Sequence, residues 1–189
     1  MGEEIKSLER AGADVIHCDV MDGVFVPNIT FGIKMIADIR KETSLPLDAH
    51  LMIVEPQKYV KEFAKAGADY ITVHYEACKE NLADVLKLIK ECGVKCGCVI
   101  NPNTDAEKIK NVVKLCDMIL VMSVYPGFGG QSIIESSIDS LKKVKAMIDE
   151  SGRDILLEID GGINLLNVKK VKDAGANVIV AGSTVFNAP

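Results

Sequence analysis

Two spacings of apolar residues alternate along the chain. Ile5 and Leu8 show a helical step, and Leu82, Val85, Leu86 and Ile89, then Ile138, Leu141, Val144 and Ile148, extend it into stripes. Between such stripes lie short apolar runs bounded by turn residues, as in buried strands. In order, the pattern predicts a helix over Gly2 to Ala11 ended by Gly12, a strand over Asp14 to Val20, a helix over Gly32 to Lys41 and a strand over Leu47 to Ile53. Pro56 opens a helix over Gln57 to Ala66, and Asp69 to Tyr75 is the next strand. The Leu82 helix leads to a strand over Val94 to Ile100. Thr104 and Glu107 form a capping box for a helix through Leu115, followed by a strand over Asp117 to Ser123. The Ile138 helix precedes a strand over Asp154 to Asp160, Asn164 caps a helix through Ala174, and Asn177 to Ala181 is the last strand.

Ala-Gly-Ala-Asp occurs at Ala11 and Ala66 and nearly again as Ala174 to Asn177, each time closing a helix and entering a strand. The chain therefore repeats a helix-turn-strand unit, seven helices and seven strands, beginning with a helix and ending with a strand. That is the pattern of an α/β fold, a (β/α)8 TIM barrel lacking its first strand and last helix. A doubly wound sheet is the alternative. It would gather its ligand at one switch point, whereas polar candidates here close at least five strands.

At 189 residues, 48% hydrophobic, residues 1–189 are expected to form a single β/α barrel domain. The net charge of −5 argues against a nucleic-acid partner. No apolar run approaches a membrane span, the start is too charged for a signal peptide, and Lys6 stands where myristoylation wants Ser or Thr. A cytoplasmic location with no membrane partner is expected. Cys18, Cys78, Cys92, Cys96, Cys98 and Cys116 contain no Cys-x-x-Cys pair, and buried free thiols are the expectation.

Candidate chemistry centres on Ile16 to Gly23. Strand alternation puts His17, Asp19 and Met21 on one face and Cys18 and Val20 on the other. An imidazole and a carboxylate two residues apart can offer two ligands to a metal or an acid/base pair to a substrate. His50 and Asp160 end later strands. Parity places Met21 and Met52 with Asp19 and His50, near a pocket, while Asp22, in an Asp-Gly pair, reads as a turn residue and His74 as a pocket-lining or supporting side chain. Gly127, Gly129 and Gly130, with Gly161, Gly162, Gly182 and Ser183, supply backbone amides in loops that a full barrel would place after strands six, seven and eight, where barrel enzymes often grip phosphate.

The segments His17 to Asn28, Asp48 to Met52, Met122 to Gln131, Asp160 to Ile163 and Ala181 to Ser183, in this order, resemble the ribulose-phosphate 3-epimerase family from end to end. The resemblance implies a metal-dependent epimerase of the pentose phosphate pathway that inverts C3 of D-ribulose 5-phosphate to D-xylulose 5-phosphate through an enediolate, with Asp19 and Asp160 as acid and base. It implies a divalent metal on His17, Asp19, His50 and Asp160, with zinc first and iron, manganese or cobalt as alternatives. It further implies a phosphosugar held by His50, Met21, Met52, Met122, Gly127, Phe128, Gly129, Gly130, Asp160, Gly161, Gly162, Gly182 and Ser183, no organic cofactor, and a homo-oligomer. Related aldolase and decarboxylase barrels carry Asp-x-Lys-x-x-Asp on the equivalent strand. Here Val20 and Met21 follow Asp19, which favours epimerisation. The alternatives are an allulose-6-phosphate 3-epimerase or a truncated, catalytically silent isoform, because the family's serine-bearing first strand has no counterpart in this sequence. Tyr125 stands where many relatives have asparagine.

Overall fold

Seven parallel strands lie side by side in chain order in the computed structural model, which describes residues 2–186. They are β1 (Ile16–Met21), β2 (Leu47–Met52), β3 (Tyr70–His74), β4 (Lys95–Ile100), β5 (Met118–Met122), β6 (Leu156–Asp160) and β7 (Val178–Ile179). The order never reverses, and a doubly wound sheet, which needs a reversal at its switch point, is excluded. The sheet is a β/α half-barrel. Among the described residues β1 and β7 are its two edges.

The helices are α1 (Gly2–Arg10), α2 (Ile33–Glu42), α3 (Val60–Ala66), α4 (Tyr75–Cys78), α5 (Leu82–Glu91), α6 (Ser137–Ser151), α7 (Val168–Asp173) and α8 (Ser183–Phe186). Four departures from the sequence reading concern the helices. Pro56 opens a separate 3-10 turn, Pro56–Lys58, and α3 begins only at Val60. Thr104 does not cap: its hydroxyl is taken by Glu76, and Asp105 replaces it, accepting from the Glu107 N–H at 3.2 Å. The segment that follows, Ala106–Leu115, winds as a 3-10 helix. Asn164 accepts from the Leu166 N–H at 2.9 Å and so closes a turn, with Asn167 at the cap position of α7. No helix among the described residues is long and apolar enough to cross a membrane.

The period of two along each strand divides the sheet into two faces with different tasks. Ile16, Cys18 and Val20 of β1, Leu47, Ala49 and Leu51 of β2, Ile71 and Val73 of β3, and their counterparts on β4 to β6 are buried in one apolar cluster with the helices. Each Val, Leu or Ile among them contributes about 1.5–3 kcal/mol on burial. The alternate positions carry His17, Asp19, Asp48, His50, Thr72, His74, Glu158 and Asp160, with Val99, Leu120 and Met122 as a small apolar floor. Cys18, Cys96 and Cys98 belong to the helix-packed face, and burial pushes the Cys18 thiol up to about 12 and that of Cys96 to about 11.

The repeated Ala-Gly-Ala-Asp phrase has one structural meaning. At Gly12, Gly67 and Gly175 the chain turns with positive φ, and the next alanine N–H bonds back to Leu8, Phe63 and Val171. The Asp or Asn that follows the second and third of these turns then fixes strand register. Asp69 and Asn177 donate their N–H to the carbonyls of Leu47 and Leu157, both at 2.9 Å, and accept the N–H of the same residue on the side-chain oxygen, both at 2.8 Å. Asp117 does the same with Cys96, at 2.8 and 3.1 Å.

Asp117 also meets Lys90 at 3.3 Å and Arg153 at 3.2 Å. Partial burial raises its carboxyl, but the Cys96 N–H and these two cations outweigh it and hold the group below its usual value. A carboxyl lowered on folding stabilises the protein above its unfolded pKa of about 4 and loses that contribution as pH falls through the folded pKa. Asp117→Ala should therefore cost about 1–3 kcal/mol at neutral pH. In urea denaturation, the gap between wild type and Asp117→Asn should narrow on acidification.

Candidate active site

At the C-terminal ends of the strands is a cavity of about 130 Å³. Asp19 and Met21 reach it from β1, Met52 from β2, Met122 from β5 and Asp160 from β6. Gly127, Phe128, Gly129 and Gly130 reach it from the loop after β5, Gly161 and Gly162 from the loop after β6, and Gly182 and Ser183 from the start of α8. His17 and His50 do not line it. They lie behind Asp19, the His50 side chain with no exposed surface and the His17 side chain 10% exposed, whereas the Asp19 side chain is 40% exposed.

The Asp19 carboxylate is the hub. Its Oδ1 is 3.2 Å from His17 Nε2 and 2.9 Å from His50 Nδ1. Each imidazole turns its other nitrogen to a buried partner: His17 Nδ1 lies 2.8 Å from Asp48 and 3.4 Å from Glu158, and His50 Nε2 lies 2.8 Å from His74 Nε2. His74 Nδ1 is 3.1 Å from Glu76, whose other oxygen accepts from the Asn101 N–H at 2.9 Å and from the Thr104 hydroxyl. Phe25 packs against His74, 4.8 Å between ring centroids.

Burial and neighbours push these groups apart. For Asp19 burial is the largest effect and raises the carboxyl, yet His17 and His50 together overcome it and hold it far below the usual range. Burial raises Asp160, reinforced by Asp19 and Asp48 against the histidines. It raises Glu158 as well, with Asp48 adding to it. His17 is lowered by burial, but Glu158, Asp19 and Asp48 more than reverse this. His74 is brought down to about 4 by burial, against the pull of Glu76, and is a neutral imidazole at neutral pH. Glu76 is raised by burial but held low by His74, Thr104 and the Asn101 N–H.

The arrangement fits a divalent cation. Ligand atoms of His17, Asp19, His50 and Asp160 all lie within 4.8 Å of one another, and the two contacts of Asp19 Oδ1 are near the edge of a tetrahedral zinc site, about 3.3 Å. Each histidine has its other nitrogen supported from behind, as metal-bound imidazoles do. Beside this set, Glu158 Oε2 is buried without a hydrogen-bond partner.

Asp22 is the expected turn residue, accepting from the Val24, Phe25 and Val54 N–H groups, each at 2.8 Å. Sequence reasoning missed Asp48, Glu158 and Glu76. The first two precede His50 and Asp160 by two residues and share their faces, so strand parity would have found them. Glu76 follows His74 by two residues but sits on α4, where parity no longer applies. The glycine loops are cross-tied: Asn28 Nδ2 donates to the Gly127 carbonyl at 2.8 Å, and Gln131 Nε2 donates to the carbonyls of Tyr125 and Phe128, both at 2.8 Å.

Residues 1–186 match the model of the ribulose-phosphate 3 epimerase family. The chain is 52% identical over 187 residues to ribulose-phosphate 3-epimerase of Bacillus subtilis, covering 98% of this chain and 86% of that protein. It is 53% identical over 190 residues to the enzyme of that name from Synechocystis, covering 100% and 83%, and 49% identical over 189 residues to the chloroplastic ribulose-5-phosphate-3-epimerase of Arabidopsis thaliana, covering 100% and 67%. Among solved structures, 3-hexulose-6-phosphate synthase superposes with a TM-score of 0.72 at 19% identity, over 99% of this chain and 86% of that one. A mutant tryptophan synthase α-subunit from Pyrococcus furiosus gives 0.74 at 17% identity, over 97% and 81%. These two show the fold alone.

Gly162 is where the loops after β5 and β6 meet. Its φ is +66°, and an added Cβ would lie 2.6 Å from both the Gln131 carbonyl oxygen and the Ile133 nitrogen. At Gly182 an added carbon meets nothing within 4 Å. Gly162→Ala should therefore lower stability by about 1–3 kcal/mol, while Gly182→Ala leaves it within about 0.5 kcal/mol of wild type, as thermal or urea unfolding will measure.

Proposed function

Because this chain belongs to the ribulose-phosphate 3-epimerase family, we propose that it inverts C3 of D-ribulose 5-phosphate, giving D-xylulose 5-phosphate, with Asp19 and Asp160 exchanging the proton. One observation carries the mechanism: carboxyls from β1 and β6 face a single cavity, with oxygen atoms no more than 4.8 Å apart and two imidazoles beside them.

Inversion next to a ketone requires removing a weakly acidic proton from one face and returning one to the other. A substrate with C3 seated between Asp19 and Asp160 meets a carboxylate on one side and a carboxylic acid on the other. The ionised member takes the C3 proton, the enediolate forms, and the protonated member delivers its proton to the opposite face. The two have then swapped protonation states, and the reverse reaction restores them.

His17, Asp19, His50 and Asp160 would hold the divalent cation, zinc suiting their two nitrogens and two oxygens. When bound, it supplies Lewis-acid polarisation of the carbonyl and stabilises the enediolate charge. The chain's own residues do the rest. His17 and His50 keep Asp19 oriented toward the cavity. Met21, Met52 and Met122 make an apolar wall that excludes water from the enediolate. The backbone amides of the loops at Gly127, Gly161 and Gly182 grip the phosphate.

Solvent deuterium should appear at C3 of ribulose 5-phosphate incubated with the wild-type protein. Asp19→Asn and Asp160→Asn should each slow conversion to xylulose 5-phosphate by about 10²-fold or more. Undiminished conversion in either variant removes that residue from the pair, and no exchange in the zinc-supplied wild type supports a silent protein. Stripping the metal with a chelator should abolish exchange and zinc should restore it. Allulose 6-phosphate, assayed alongside, decides between the five- and six-carbon sugars.

A further inference from the structure

Behind His50 the hydrogen bonds form one directed line with no branch until its far end. We infer that Glu76 is a positioning residue, fixing the tautomers of His74 and His50 in series so that the Nε2 hydrogen of His50 points to His74 and its Nδ1 is the nitrogen left for the cation the cluster would hold. The part concerning the cation rests on the metal reading above.

The polarity follows from counting hydrogens. Glu76 Oε1 faces the Asn101 N–H at 2.9 Å, a group that can only donate, and also the Thr104 hydroxyl. Glu76 Oε2 faces His74 Nδ1 at 3.1 Å. A carboxylate is acceptor-only, so the hydrogen of that contact belongs to His74 Nδ1. His74 Nε2 is then bare in the neutral ring, and it lies 2.8 Å from His50 Nε2. Only one hydrogen fits between two facing nitrogens, and His50 must supply it. A His50 ring carrying one hydrogen then has none on Nδ1, the atom 2.9 Å from Asp19 Oδ1. Nδ1 is therefore the nitrogen left to a cation, while the Nε2 hydrogen is held by His74. The two rings meet head-on and nearly coplanar, 5.0 Å between centroids and 22° between planes, so the facing nitrogens are aligned for a single N–H···N bond.

The order Glu76 to His74 to His50 is therefore a polarity, and it can be inverted by one atom. In Glu76→Gln the side-chain carbonyl will stay with the Asn101 N–H and Thr104, and the amide will turn toward His74. His74 Nδ1 must then accept, His74 Nε2 donates to His50, and the hydrogen of His50 moves to Nδ1, where it blocks the ligand lone pair. Glu76→Ala imposes neither direction.

The test reads tautomers directly, using long-range proton–nitrogen correlation spectra of metal-free protein with labelled imidazoles. Zinc affinity is measured in competition with a chromophoric chelator. The wild type should show hydrogen on Nδ1 of His74 and on Nε2 of His50. Glu76→Gln should show both reversed and bind zinc about 10- to 100-fold more weakly. Glu76→Ala should lose less affinity than Glu76→Gln although it removes more atoms, the opposite of what a packing role produces. Unreversed tautomers in Glu76→Gln overturn the inference, as does an affinity equal to wild type. If wild-type protein binds no zinc, the metal reading fails by itself, and the tautomers of the metal-free protein still decide the role of Glu76.

Discussion

Charge buried at the mouth of the sheet is the constraint that organises the rest. Around His17, His50 and His74 stand the carboxyls of Asp19, Asp48, Glu76, Glu158 and Asp160. A low-dielectric interior tolerates such a cluster only if each charge is paired, protonated or bound to a cation. Two of these remedies are visible, and the third has a candidate site. Asp19 and Glu76 are held ionised by donors, Asp160 and Glu158 are pushed toward the protonated form, and the donor set of His17, Asp19, His50 and Asp160 suits an ion.

Strand parity lets one sheet carry this cluster and still be stable. The face toward the helices is continuously apolar, so its burial can offset the desolvation on the other side. Crowding on the chemical face is severe: at Gly97 an added Cβ would lie 2.5 Å from the Thr72 methyl and 3.1 Å from the Met118 carbonyl. The missing side chain at that position is what lets β3, β4 and β5 close around the polar layer.

Much of this was legible in the sequence, for reasons that differ by residue. The alternation of helix and strand was readable because stripes such as Ile138, Leu141, Val144 and Ile148 are long and the glycine turns between units repeat. Asp22 was readable as a turn because its carboxylate serves three backbone N–H groups, two of them within three residues. Thr104 was misread because its cap pattern is local and its true partner, Glu76, lies 28 residues away. Asp48 and Glu158 escaped notice as charges inside apolar runs, where only the face they share with His50 and Asp160 betrays them. The last strand, expected over Asn177 to Ala181, is only Val178–Ile179.

The chain holds six thiols, the softest donors it owns, yet Cys18, Cys96 and Cys98 point away from the polar layer and keep their protons. Cys18 sits between His17 and Asp19. A slip of β1 by a single residue would deliver sulfur where imidazole and carboxylate belong. The same holds for Cys96 and Cys98 on β4, and there the double grip of Asp117 on Cys96 guards chemical identity as well as shape, because a strand locked in register sorts hard from soft donors and keeps sulfur out of the cluster.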